Sequence, residues 1–237
     1  MSLFRFKEFV VNQDNCPMKI NTDGVLLGAL AEVGSKYKIC DIGIGTGVIA
    51  LMLAQRNHQA IIDAIDVDFH AVDTATHNFE NSLFHERLNC HHHSFIEFFE
   101  LHPQNKYDLI ISNPPFFVNA LKSSVERKNI VRHTDEVFFM DFLRVSANHL
   151  TPEGIIQLIV PVEISVFMQH LAKVYHLCVS KIISVKSFED KEPFRHILKF
   201  QKQPCELASE TDFVIYVKEK EHSLQYIAAL KDFFTIF

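Results

Sequence analysis

The residues best equipped for chemistry are Asn113, Pro114, Pro115 and Phe116, which directly follow the apolar run at 107–112. An amine on a conjugated ring is a poor nucleophile because its lone pair is delocalised. The side-chain carbonyl of Asn113 and the backbone carbonyl of Pro114 could both accept the hydrogens of such an amine. That would turn the lone pair toward the group it attacks and steady the positive charge that develops. The prolines would stiffen the turn. Phe116 would offer a face for an unstacked base, worth about 1–3 kcal/mol. No covalent nucleophile is required, and the plain alternative is a rigid proline turn with a Phe in the core.

A second cluster lies upstream, in Asp41-Ile42-Gly43-Ile44-Gly45-Thr46-Gly47, where an apolar run passes into helix-forming residues. Glycines at such a hand-over let the backbone approach a ligand and leave amide donors free at a helix N-terminus. A dinucleotide fingerprint would need glycine at position 48, which is Val48, so a pyrophosphate ligand loses ground. Asp66 follows Gly43 by roughly 20 residues, the spacing at which a carboxylate accepts both hydroxyls of a ligand ribose. Otherwise these are only a tight turn and a solvated loop acid.

Positioning these groups takes alternating strands and helices. Strands are expected at 38–42, 61–67, 88–92, 107–112 and 154–160, with helices at 48–55, 70–83, 136–150 and 163–175. The run at 107–112 is apolar throughout, as suits a strand buried on both faces of a parallel sheet, and the prolines after it end ladder pairing. Two further strands, 178–186 and 195–201, have no helix between them and predict an antiparallel edge hairpin. A strand at 213–217 and a helix at 224–234 are expected in the tail.

With 237 residues, 48% of them hydrophobic, the chain suits one α/β domain. A net charge of −6 argues against a surface that coats nucleic acid, so any such contact must be local. Cys16, Cys40, Cys90, Cys178 and Cys205 are scattered, without the spacing of a disulfide scaffold, which points to a reducing cytoplasm. No stretch approaches the roughly 20 apolar residues of a membrane span, and residues 1–7 lack the apolar core of a signal peptide.

The D-x-G-x-G-x-G pattern from Asp41 resembles the first motif of the Rossmann-like methyltransferases, and with Asn113 to Phe116 it resembles their N6-adenine branch. Phe6-Lys7-x-Phe9, Met18-Lys19-x-x-Thr22-Asp23-Gly24-x-Leu26-Leu27-Gly28 and Arg132-His133 bring the resemblance closer to one bacterial family, the valine-tRNA adenine-N6 methyltransferases, which modify adenine 37 beside the anticodon. The likeness implies a seven-stranded, mostly parallel sheet with an antiparallel edge hairpin and helices on both faces. It implies one methyltransferase domain, with an extension at 1–37, a core at 38–201 and a C-terminal segment at 202–237. The implied cofactor is S-adenosyl-L-methionine, held by Lys19, Thr22, Asp23, Asp41, Gly43, Gly45, Gly47, Asp66 and Asn113. Where the family often carries an acid for the cofactor's adenine amine, this chain has Ser94, which can still hydrogen-bond. The implied partner is tRNA, met by a cytoplasmic monomer with no obligatory protein partner.

The basic residues after the turn, Lys122, Arg127, Lys128, Arg132 and His133, are candidates for phosphate contacts beside the target base; a solvated loop is the alternative. Lys181, Lys186, Lys191, Arg195 and Lys199 form a second basic set, interleaved with Phe188 and Phe194 on the hairpin. Basic plus aromatic suits RNA, yet strands commonly expose lysine. His91, His92 and His93 are expected to bind no metal, since neighbours on a strand point to opposite faces. Protein-glutamine N5 and ribosomal-RNA guanine-N2 methyltransferases carry a similar turn, but usually with a preceding domain. The 37 residues before the first expected strand leave little room for one.

Overall fold

The structure, a computed structural model, describes residues 2–114 and 125–237, with the side chains of 125–135 outside the description. In chain order come β1 (Leu3–Arg5), β2 (Val10–Asn12), α1 (Thr22–Leu30), β3 (Lys38–Ile42), α2 (Val48–Arg56), β4 (Ile61–Asp66), α3 (Phe69–Glu80), β5 (Leu88–His92), α4 (Phe95–Leu101) and β6 (Tyr107–Ser112). Then follow α5 (Val125–His149), β7 (Leu150–Pro161), α6 (Val162–Val174), β8 (Cys178–Lys186), β9 (Arg195–Gln201), β10 (Ser209–Val214), β11 (Tyr216–Lys218), β12 (Glu221–His222) and α7 (Leu224–Leu230).

The main sheet has the order β10-β8-β9-β7-β6-β3-β4-β5. From β7 to β5 every pairing is parallel. β9 runs antiparallel to both β7 and β8. The sheet thus has eight strands where seven were expected, because Ser209–Val214 adds a parallel strand outside the hairpin. Four of its residues, Ser209 to Asp212, are exposed, so the segment lacks the apolar run that marks the inner strands.

Two cores flank the sheet. Side chains of α1, α2, α3 and α7 and of the β1–β2 hairpin pack on one face, and those of α4, α5 and α6 on the other. The parallel strands β3 and β6 lie between the layers and are buried over nearly all their length, the pattern for a sheet covered on both faces. Helix starts follow local chemistry: Asn21, Asp68, Ser94 and Ser223 each accept a backbone amide of the first turn, satisfying donors the helix leaves unpaired. α2 instead starts at Gly47 with no side-chain cap.

The cysteine spacing shows no disulfide scaffold, yet Cys178 and Cys205 are joined as a disulfide with Cα atoms 6.0 Å apart, so cysteine usage does not support the expectation of a reducing cytoplasm. The pairing is tertiary: β8 begins beside the loop leading into β10, and no sequence spacing reports that. No helix among the described residues is long and apolar enough to cross a membrane.

Candidate active site

Parallel strands all end on one edge of a sheet, and ligand crevices form outside those carboxyl ends. Here β3, β4, β5 and β6 deliver the glycine loop, Asp66, His93 and Asn113 to the rim of one cavity of about 280 Å³. Its wall also includes Cys16, Pro17 and Met18 of the chain before α1 and Phe138 of α5.

The glycines do two different jobs. Gly43, Gly45 and Gly47 have φ of +82°, +51° and +80°, in the left-handed region that favours glycine. A Cβ on Gly43 or Gly45 would meet nothing within 4 Å, and both line the cavity. A Cβ on Gly47 would come within 2.6 Å of the Phe79 ring. Gly47, expected among the cofactor residues, therefore serves the packing of the loop on α3 and is not a lining residue.

Asp66 is fixed from two sides. One carboxylate oxygen accepts the Gly45 amide at 3.1 Å and the other the Asp68 amide at 3.0 Å. Each retains lone pairs for a ligand. The amides of Gly43 and Ile44 meanwhile bond to the Ile65 carbonyl at 2.8 and 3.1 Å, so the loop is pinned to the end of β4.

Asp41 lies beneath this loop, fully buried, and neither carboxylate oxygen has a hydrogen-bond partner. Burial first, then the neighbouring charge of Asp66, hold its carboxyl well above the usual range. The Ala50 amide pulls the other way but stands outside hydrogen-bonding geometry. A buried polar group without a partner is costly.

Asn113 lines the cavity next to Pro114. Its Nδ2 donates to Asn21 Oδ1 across a long 3.5 Å, and the same oxygen accepts the Gly24 amide at 2.9 Å. The start of α1 thereby orients the carboxamide. Pro115, Phe116 and Lys122 lie outside the described residues, as do the side chains of Arg127, Lys128, Arg132 and His133 on α5.

Other expected residues fall elsewhere. Lys19 and Thr22 are exposed and do not line the cavity. Asp23 is bound to Arg195, with Nε to Oδ2 at 2.7 Å. Ser94 does not reach the cavity either: its hydroxyl accepts the Glu97 amide at 3.1 Å and donates to the Glu97 carboxylate at 2.8 Å, forming a capping box. His93 and Phe95, on either side of it, are the lining residues. The histidine run diverges, with His91 on Asp63 at 3.3 Å, His92 on the Val67 carbonyl at 3.1 Å and His93 at the cavity.

Each member of the hairpin's basic set has a carboxylate partner. Lys181 and Lys199 share Glu32, Lys186 binds Asp212, Lys191 binds Asp190 and Arg195 binds Asp23. Cations paired in this way attract phosphate less strongly than unpaired ones.

Sequence reasoning missed the wall at Cys16 to Met18, as well as Asp68, Ala71, Ser112 and Phe138. Ser112 donates to the Ile42 carbonyl at 2.7 Å and ties β6 to β3 directly below the site. Asp68, before a helical run, carried a readable N-cap signal; the others become visible only in three dimensions.

Residues 21–180 match the family model described as the methyltransferase small domain. The chain is 42% identical over 236 residues to a tRNA1(Val) (adenine(37)-N6)-methyltransferase of Pedobacter heparinus, covering 99% of this chain and 98% of that one. A protein of the same name from Flavobacterium psychrophilum is 41% identical, covering 98% and 99%. Among solved structures, a predicted O-methyltransferase from Agrobacterium tumefaciens superposes with a TM-score of 0.70 at 14% identity, covering 89% of this chain and 96% of that one.

Proposed function

Because the chain belongs to the methyltransferase small domain family and, over nearly its full length, to the tRNA1(Val) (adenine(37)-N6)-methyltransferases, we infer that it methylates N6 of an adenine in tRNA, with adenine 37 of a valine tRNA as the target. The observation that carries the mechanism is Asn113, set on the rim of the cavity that Asp66 and the open glycines line.

The residues present fit S-adenosyl-L-methionine, which supplies an electrophilic methyl group on a sulfonium centre. Asp66 offers carboxylate oxygens to a ribose, and Gly43 and Gly45 leave their Cβ space open. Asp41 does not itself line the cavity, and its two unpartnered oxygens, buried beneath the loop, are the groups left to answer the charged methionine end. Val67, Ala71, His93, Phe95 and Phe138 give a largely apolar wall for an adenine. Lys19, Thr22 and Asp23 flank the Asn21 cap but do not line the cavity, and Asp23 is held by Arg195.

On the substrate side, Asn113 and the Pro114 carbonyl accept the N6 hydrogens and aim the lone pair at the methyl group. Phe116 supports the extruded ring. When bound there the cofactor would supply the methyl group, and the N6 proton that the amine gives up would pass to solvent. An anticodon-loop base is already partly unstacked, so extruding it costs less than opening a duplex. With the hairpin cations paired, phosphate contacts fall to Arg127, Lys128, Arg132 and His133. The enzyme acts as a cytoplasmic monomer, one domain built of an extension at 1–37, a core at 38–201 and a segment at 202–237.

Incubation with labelled cofactor and total tRNA, ribosomal RNA, duplex DNA or release-factor protein, followed by digestion, tests the reading. Label should appear in N6-methyladenosine from tRNA. Label in N2-methylguanosine or N5-methylglutamine instead would reassign the substrate.

A further inference from the structure

We propose that Asn78 is a positioning residue that holds two segments of the cavity wall, the glycine loop and the chain before α1, in a fixed relation to each other; the inference rests on the cofactor reading above. Asn78 sits on α3, is 2% exposed, and touches no lining residue through a hydrogen bond of its own. Its Nδ2 donates to the Thr46 carbonyl and to the Asn12 carbonyl, both at 2.9 Å, and its Oδ1 accepts the Asn12 amide at 2.8 Å. Thr46 lies between Gly45 and Gly47 in the glycine loop. Asn12 ends β2 and leads into Cys16, Pro17 and Met18, another stretch of the wall. One carboxamide thus joins two segments that both contribute lining residues to the cavity.

A second contact from the same helix face reinforces the first. Thr74, one turn earlier, donates to the Asp14 carbonyl at 3.3 Å, while Ala75 and Phe79 fill the space beside Gly47. The N-terminus of α3 supplies Asp68 and Ala71 to the cavity. α3 is therefore one rigid piece that lines the site at its end and grips both segments along its side. The segment from Asn12 to Met18 has little regular structure of its own. It is tied to the chain start, where the Gln13 amide donates to the Ser2 carbonyl at 3.0 Å and Asp14 accepts the Ser2 amide at 2.8 Å. It is also held by these α3 side chains and by Gln13, whose Oε1 accepts the Ile20 amide at 2.8 Å.

Cys16 provides a reporter independent of catalysis. It is buried in the wall and donates to the Met18 carbonyl at 3.1 Å, and burial pushes its thiol up. It should alkylate slowly while the wall is seated.

The test compares Asn78→Asp and the milder Thr74→Val with an Asn81→Ala control, whose wild-type side chain, among the described residues, bonds to His77 on the same helix and to nothing else. Asn78→Asp keeps an acceptor for the Asn12 amide but sets a carboxylate oxygen against two carbonyls. Calorimetry with S-adenosylmethionine, well below each variant's melting temperature, should show affinity reduced about tenfold in Asn78→Asp and less in Thr74→Val. KM for the cofactor should rise while kcat at saturation is retained. Iodoacetamide should modify Cys16, located by peptide mass spectrometry, faster in both variants and at the wild-type rate in Asn81→Ala. A merely structural role would lower the melting temperature and leave affinity and alkylation of the folded protein unchanged, and that result overturns the proposal. If wild-type protein failed to bind the cofactor, the underlying reading would fall, and the Cys16 rates alone would still decide whether Asn78 holds the wall.

Discussion

The Asp66 carboxylate accepts the backbone amide of Gly45 at 3.1 Å, so the acid at the end of β4 and the loop at the end of β3 are one structural unit. The group expected to hold a ribose also fixes the shape of the loop beside it. Asp66→Ala should weaken S-adenosylmethionine binding by at least severalfold, since charge-assisted hydrogen bonds are lost and the loop loses an anchor. Equal affinities by calorimetry would remove Asp66 from the site.

Asn113→Ala should abolish turnover while cofactor affinity stays nearly intact, because the carboxamide meets the target amine and not the methyl donor. Asn21→Ala should fall between that variant and wild type, having lost both the α1 cap and the contact that orients Asn113. Single-turnover assays with radiolabelled cofactor decide both. A fully active Asn113→Ala enzyme would end the proposed mechanism.

Asp41 makes a pH-dependent prediction for the ligand-free protein. Below about pH 4 the carboxyl is protonated in both folded and unfolded chains and incurs no charge penalty. As pH rises, the unfolded chain ionises while the folded one keeps its proton, because burial and Asp66 raise the folded value. Stability contributed by this group therefore falls from about pH 4 until the pH passes the folded value. Asp41→Asn cannot ionise, so it should melt above wild type at neutral pH, with the difference closing toward pH 4 in thermal melts, and should bind the cofactor more weakly. A variant that melts lower at neutral pH than at acid pH, relative to wild type, contradicts the assignment.

Replacing Arg127, Lys128 and Arg132 together with glutamine should weaken tRNA binding and flatten its salt dependence without affecting the cofactor. The same treatment of Lys181 and Lys199, both held by Glu32, should leave the salt slope unchanged. Filter-binding titrations across salt concentration separate the two sets, and a slope that responds to the hairpin pair instead would reverse the choice of RNA face.

Legibility followed locality. The strands at 38–42, 107–112, 178–186 and 195–201 are bounded as their apolar residues and flanking turns require, and 88–92, with only Leu88 and Cys90 apolar, also falls where the alternation places it. α1 escaped notice because Gly24 and Gly28 depress helix propensity and because nearly every side between them is buried, which erases the periodic signal. Gly28 has a tertiary reason: a Cβ there would stand 2.8 Å from the Met52 sulfur. α4 was readable in principle, since Ser94-x-x-Glu97 is a capping box ahead of Phe98 and Phe99. The glycine loop, Asp66 and Asn113 could be found because each sits at the end of a strand. The wall at Cys16 to Met18, the Asp23–Arg195 pair and the two lysines on Glu32 depend on partners far away in sequence, which no local pattern encodes.

The place of β9 between β7 and β8 has a consequence during synthesis. β7 can pair with β6 on one side as soon as it emerges, but its other edge waits for Arg195–Gln201. Until those residues leave the ribosome, a twelve-residue strand that includes Ile155, Ile156, Leu158, Ile159 and Val160 presents unpaired backbone groups to any other chain, the setting in which intermolecular strand addition begins. Chains stalled between β7 and β9 are therefore the species that chaperones must shield.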